Sequence, residues 1–298
     1  MPQINYALLT VSLAASLIIS AIMTKAALKV RVITRDAAIP AFMVGFMTLM
    51  GGLATTIPFI AFLGTSSAVT RLGSTKKEEI GVAMDMKGRN WRQVMAVGLL
   101  PSSLALTAGL AYLMSNYYLF TILSTAAVGG IAYSNADTWA SEIGVLSRSK
   151  PRLLIKPWKT VDPGVSGGVT WLGELSSMGG SAFTALTFLG SLYMLRQLNA
   201  PVTPSLTLAM VVFIMGYLGE VLDSLLGGLL QPKYYCPRCG VMTDHSVHQC
   251  GQLTIRVFGN YEIGNEDVNL IVSLIVTILS IAITALLLNK FTPPVPAH

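Results

Sequence analysis

Seven apolar runs dominate the chain, near residues 6–24, 38–63, 94–114, 117–136, 168–194, 205–230 and 268–288. Each is long enough to cross a hydrocarbon core of ~30 Å as a helix, which takes about 20 residues. A chain patterned this way must satisfy its backbone polar groups inside helices, so the expected fold is all-α, a polytopic transmembrane helix bundle with about seven spans. Composition agrees: 11% of residues are charged and 53% are hydrophobic, too few charges to coat a soluble globule. Three cysteines exclude a disulfide scaffold. The first run has no basic residue before it and is too long for a signal-peptide core, so it reads as a span or signal anchor. The whole chain, 1–298, reads as one transmembrane domain, with a Cys/His loop at 231–267 inserted between the last two spans.

Lys and Arg counts orient the spans. With 38–63 taken as one span, the loops at 64–93, 137–167 and 231–267 hold 14 of the 20 basic residues. Those loops are expected in the cytoplasm, with the N-terminus inside and the C-terminus outside. Lys25, Lys29, Arg31 and Arg35 count against this, falling on the wrong side unless span 1 or 2 is broken or re-entrant. Residues 25–36 could also form a helix lying at the interface.

Carboxylates in or against apolar runs are functional candidates by default. In span 6, Gly216, Glu220, Asp223 and Gly227 share one helix face. Two like charges one turn apart in low dielectric need a cation or a proton, and Mg2+ is the cation that favours carboxylate oxygen and substrate phosphates. A close helix contact with hydrogen-bonded acids is the alternative. At the end of span 4, Ser134, Asn135, Asp137, Thr138, Ser141 and Glu142 crowd together; a helix cap would need one of them. The loop beyond runs from Lys156 and Lys159 to Gly164, Ser166, Gly167 and Gly168, glycine backbone at a helix start that suits anions. Ser66 and Arg71 stand at a membrane exit, and Lys87 and Arg89 could bind phosphate or snorkel. Before span 7, Asp267 reads as a helix cap or a site residue, and Asn269 could face a polar site.

All three cysteines fall in Cys236-Pro-Arg-Cys239 … Cys250, with His245 and His248. Cys236, Cys239, His248 and Cys250 are the favoured tetrahedral Zn2+ set, with His245 the alternative imidazole, closed and therefore structural: a zinc-knuckle-like cytoplasmic loop.

Six segments, Thr65–Arg71, Lys87–Val94, Ala136–Gly144, Gly167–Thr170, Leu222–Gly227 and Asp267–Leu270, resemble an integral membrane family known as domain of unknown function 92. That family includes the animal transmembrane protein 19 and plant and cyanobacterial phytyl-phosphate kinases, and the Cys-Pro-Arg-Cys-Gly loop resembles its prokaryotic members. The resemblance implies an isoprenoid-phosphate kinase in the cell membrane of a prokaryote. It would move a phosphoryl group from a nucleoside triphosphate, CTP or ATP, to a prenyl monophosphate such as phytyl or geranylgeranyl phosphate. On that reading Asp137, Glu142, Glu220 and Asp223 hold Mg2+. Lys156, Lys159 and the Gly164–Gly168 backbone hold the nucleotide, and Arg71, Lys87 and Arg89 bind the acceptor phosphate. Asp267 and Asn269 complete a polar floor, while Ser66, Asn135, Thr138 and Ser141 add polar contacts. The expected partners are these substrates and membrane lipid, not nucleic acid; a homodimer is compatible with the sequence. Competing readings are a lipid-phosphate transporter or flippase, a CTP-dependent lipid nucleotidyltransferase, and a scaffold without chemistry.

Overall fold

The computed structural model describes residues 6–79 and 88–291. Nine helices carry the described fold: α1 (Tyr6–Lys29), α2 (Ala38–Met50), α3 (Leu53–Arg71), the short α4 (Ser74–Glu79), α5 (Trp91–Leu113), α6 (Tyr117–Gly144), α7 (Trp171–Gln197), α8 (Leu206–Leu230) and α9 (Asn265–Phe291). Seven of them are long and apolar enough to cross a membrane; α2 and α4 are not.

Helix α6 is the axis of the bundle, in contact with α3, α5, α7, α8 and α9. Its sequence explains this. The stretch Ser124-Thr-Ala-Ala-Val-Gly-Gly-Ile-Ala132 is almost all small residues and is buried throughout. In lipid, small residues let backbones approach, which is what drives helix association there. Pro101 of α5 packs on Gly130, and Gly216 of α8 faces Ala132 of α6 and Ser181 of α7. By contrast α1 leaves most of its surface exposed.

The apolar run 38–63 is not one span. It breaks at Gly51-Gly52 into α2 and α3. Gly52 has a left-handed φ of 75°, and a Cβ on Gly51 would stand 2.7 Å from the Ala105 carbonyl oxygen. Only glycine fits both demands. Hydropathy sees apolar residues, not backbone conformation, so the break is invisible to it. The two helices form a hairpin. Its tip packs on Ala105 and Gly109 of α5, about 27 Å along that helix from Trp91 at 1.5 Å per residue. Its open end returns to the start: Arg71 donates to the Val30 carbonyl at 3.2 Å, and Trp91 N–H donates to Asp36 at 3.2 Å.

This corrects the expected topology. The ends of α1, α3, α6 and α8 and the starts of α2, α5, α7 and α9 all lie at one end of the bundle. The start of α1 and the end of α9 lie at the other, where Tyr118 donates to Asn289 at 2.9 Å. Lys29, Arg31 and Arg35 therefore join the basic loops instead of opposing them. Of the described basic side chains, the far end holds Arg196.

Two three-stranded sheets sit at the basic end. Strands β1 (Arg152–Leu153), β2 (Lys156–Thr160) and β3 (Gly168–Val169) pair in the order β2-β1-β3; β4 (Lys233–Cys236), β5 (Val241–Thr243) and β6 (Ile255–Phe258) pair as β5-β4-β6. The sheets are locked by reciprocal carboxylates: Asp162 accepts from Met242 N–H at 2.8 Å, and Asp244 accepts from Ser166 N–H at 2.8 Å and from the Ser166 hydroxyl.

Candidate functional site

Two cavities meet at the basic end. The larger, about 360 Å³, is an apolar groove between α1, α2, α3, α5 and α6. Its mouth carries Arg31, Arg71, Arg89, Ser66, Ser67, Thr70 and Glu142; its walls are Met23, Val44, Phe59, Phe62, Val94 and Ile131. The smaller, about 60 Å³, is polar and is lined by Arg89, Gln93, Ser134, Asp137, Thr138, Ser141, Glu142, Asn265 and Asn269. Arg89, Val97, Ser134 and Glu142 belong to both.

Arg89 is aimed by its neighbours. Its backbone is pinned to the α1–α2 connection through Thr34 N–H at 3.0 Å and the Val32 carbonyl at 2.9 Å. Its guanidinium donates to Thr138 at 3.0 Å and lies 5.8 Å over the Phe62 ring. Asn90 and Gln93 close a reciprocal cap on α5 directly after it, fixing the helix start beside the pocket.

The four carboxylates assigned to Mg2+ are not equivalent. Asp137 faces the polar pocket. Asp223 lies one layer behind, buried, accepting from the Tyr133 hydroxyl at 2.6 Å; that hydroxyl is also 3.3 Å from Asn269. Glu220 is buried and held by Ser177 at 3.2 Å and Ser224 at 3.1 Å. Asp137 is within electrostatic reach of both. Glu142 departs from the set. It pairs with the buried Lys77 at 2.5 Å, while Lys77 also donates to the Val69 and Thr70 carbonyls. Lys77 sits in a Lys-Lys-Glu-Glu run that reads as a solvated face, so the sequence hides it.

Other expectations sort cleanly. Ser66, Arg71 and Arg89 line the groove mouth, and Thr138, Ser141 and Asn269 line the pocket. Lys87 lies outside the described residues. Asn135 is a structural clamp: it is fully buried, its amide donates to the Gly180 carbonyl at 3.0 Å and Thr184 at 3.1 Å, and it accepts from Thr65 at 3.3 Å and Ser66 at 3.4 Å. Asp267 accepts from Gly264 N–H at 2.8 Å, which makes it a cap on α9. Lys156 and Lys159 are exposed on β2 and line neither cavity. Nor is the Gly164–Gly168 turn an open anion cradle. Its Val165, Ser166 and Gly168 N–H groups are engaged by Asp162, Asp244 and Val165, and the Asp244 carboxylate stands where a phosphate would. Gly167, at φ 78°, packs directly on Gly228 of α8. Gly167 serves that close approach, while Gly168 packs on Val161, Val165 and Pro151 of its own loop. Ser134 and Asn265, both expected to face a polar site, line the pocket; Gln93 also lines it, and Tyr133, behind it on Asp223, is the residue that polar density alone did not single out.

The Cys loop forms a compact donor set. Ligand atoms of Cys236, Cys239, His248 and Cys250 lie within 4.8 Å of one another; among the described residues no other group of three or more His, Cys, Asp or Glu converges this way. Cys236 and Cys250 sulfurs are 3.7 Å apart, too far for the ~2.05 Å of a disulfide. That spacing is about the edge of a tetrahedron with ~2.3 Å metal–sulfur bonds. His248 Nδ1 lies 3.2 Å from Cys250 Sγ, and this contact lowers the Cys250 thiol to about 6; the hydrogen bond to Cys250 raises Cys239 to about 11. His245 is exposed and outside the set. The set could hold a metal ion.

The fold and these cavities define a polytopic helix-bundle membrane protein with a polar centre at its basic end. The chain belongs to the family described as integral membrane protein DUF92, whose model matches residues 18–277. It is similar to Protein PGR of Arabidopsis thaliana, 29% identical over 274 residues, covering 89% of this chain and 93% of that protein. It is also similar to the uncharacterized membrane protein MJ0933 of Methanocaldococcus jannaschii, 26% identical over 232 residues, covering 78% and 86%. No solved structure matches.

Proposed function

We propose that this protein is a membrane-embedded isoprenoid-phosphate kinase. The observation that carries the reading is the junction of an apolar groove with a polar pocket through shared Arg89, Ser134 and Glu142. A prenyl monophosphate is amphiphilic in this way: its chain suits the groove and its head suits Arg71 and Arg89. The second phosphate body, from CTP or ATP, suits the pocket lined by Gln93, Thr138, Ser141 and Asn265. Mg2+ suits the hard oxygens of Asp137 and Asp223, with Glu220 adding negative charge behind them. It would neutralise charge between the phosphates, since phosphoryl transfer is chiefly positioning and electrostatics. No general base is needed, because a phosphate acceptor is already an anion. The Cys236, Cys239, His248 and Cys250 set suits a closed structural Zn2+ that stiffens the loop between α8 and α9. The positive-inside rule sets the basic end toward the cytoplasm, where nucleotides are available, and the proposed location is the cell membrane of a prokaryote.

The test is product identity. Protein purified in detergent is given labelled prenyl phosphates, Mg2+ and CTP or ATP, and products are identified by mass. A prenyl diphosphate supports the kinase; a nucleotidyl-lipid with pyrophosphate identifies a nucleotidyltransferase instead.

A second reading, transport of a lipid phosphate, has one observation in its favour. Ser273, Thr277, Ser280 and Thr284 form a buried row on α9 leading from Asn269 toward the far end, and their hydroxyls have no hydrogen-bond partner. Flux of prenyl phosphate across proteoliposomes without nucleotide, and no turnover, would select it.

A further inference from the structure

Two helix pairs pack together at the inner end of the groove. Nearer the mouth, Ser20 of α1 donates to the Phe42 carbonyl of α2 at 2.7 Å, and a Cβ on Gly45 would stand 2.8 Å from the Ser20 oxygen. Thr55 of α3 donates to the Thr48 carbonyl at 2.7 Å, tying the hairpin's arms. Pro101 of α5 fills the notch left by Gly130 of α6. Thr48 and Ser102 line the groove at this floor and are buried.

We propose that this floor reads the length of the isoprenoid chain; the inference rests on the reading that the groove receives a prenyl phosphate. The depth follows from the helices. Lining residues on α3 run from Arg71 at the mouth to Phe59, and on α6 from Glu142 to Ile131. At 1.5 Å per residue these are about 18 Å and about 16 Å. A carbon chain with ~1.5 Å bonds advances about 1.25 Å per bond. The groove therefore takes roughly 13 to 14 skeletal bonds, or three to four isoprene units at four bonds each, by the same bond geometry. A longer chain meets packed helix contacts, whose close-packed interior does not yield cheaply. A shorter one leaves the floor without contacts. Gain from burial alone is small, because surrounding lipid is equally apolar, so selection comes from fit.

The experiment uses synthetic prenyl monophosphates of ten, fifteen, twenty and thirty carbons at equal mole fraction in dodecyl maltoside micelles. Retention by the full-length protein is read by native mass spectrometry, and turnover is read in parallel. Fifteen- and twenty-carbon chains should be retained at least tenfold over the ten- and thirty-carbon ones. Ser102→Leu should shift the optimum about one unit shorter. Ala41→Phe, at a half-buried wall position nearer the mouth, should shift it further. The second variant guards against misfolding of the first. If the wild type shows no optimum, or if neither variant moves it, the floor does not measure length. Length-selective retention without any diphosphate product leaves this inference standing and removes the kinase reading. Diphosphate production without length selection does the reverse.

Discussion

Lys77→Met isolates the tie that holds the groove mouth. Lys77 is 2% exposed and Glu142 12% exposed, and their charged atoms are 2.5 Å apart. The ammonium also satisfies the Val69 and Thr70 carbonyls near the end of α3. Methionine keeps most of the volume and removes all three hydrogen bonds. A buried carboxylate left without its cation costs about 3–5 kcal/mol when one partner of a buried pair is removed. Replacing both partners by apolar residues of similar shape is often neutral. Lys77→Met should therefore lose about 3–5 kcal/mol in equilibrium unfolding in mixed SDS and dodecyl maltoside micelles. Adding Glu142→Leu should recover most of that loss. A double-mutant cycle isolates the coupling. If Lys77→Met costs less than about 1 kcal/mol, the value of an exposed pair, or if the second substitution recovers nothing, the pair does not anchor α3 to α6 and the argument fails.

The remaining predictions concern the loops. Zinc analysis of the purified protein should find about one ion per chain, as a Cys3His set requires, and Cys236→Ser should remove it while His245→Ala should not; zinc retained by Cys236→Ser would place the metal elsewhere. Asp244→Ala removes the acceptor for the Ser166 N–H and hydroxyl and should cost about 1.5–3 kcal/mol locally, read as faster hydrogen exchange at Ser166; unchanged exchange would show that the lock is not made. Burial holds the Lys233 ammonium below its ordinary 10.5, against the opposing charge of Asp244, although the ammonium donates to the Gly227 carbonyl at 3.1 Å. Between the lowered value and 10.5 the unfolded chain binds more protons there than the folded chain, so stability should rise with pH through that window. Lys233→Met should flatten this rise in the same unfolding assay, and an unchanged slope would assign it to another group.

Much of the architecture was legible because lipid imposes strong rules. Apolar length marked the spans, and the small-residue character of 124–132 suits the buried axis. Polar density at 134–142 marked the pocket, since Asp137, Thr138 and Ser141 share it. Cysteine spacing marked the donor set, and His248 won over His245 because the Val247–Leu253 bridge folds residue 248 back on Cys250. What the sequence hid has common causes. The Gly51-Gly52 break is a matter of φ and close approach, which hydropathy does not register; missing it inverted the N-terminus. Lys77 and Asp244 act across 65 and 78 residues of chain, and no local pattern marks a long-range partner. The glycines at 164–168 looked like an anion cradle because close backbone packing and phosphate binding ask for the same residue.

In the proposed kinase reaction the terminal phosphoryl group of a nucleotide passes in the polar pocket to a lipid phosphate in the groove. The direct test is nucleotide labelled in its γ-phosphate, given with Mg2+ and a fifteen- or twenty-carbon prenyl monophosphate. The account expects the label in the prenyl diphosphate, with nucleoside diphosphate released, and loss of the transfer in Asp137→Asn protein that still retains the lipid. Label released as pyrophosphate, or no transfer to lipid by protein that holds both substrates, would contradict it.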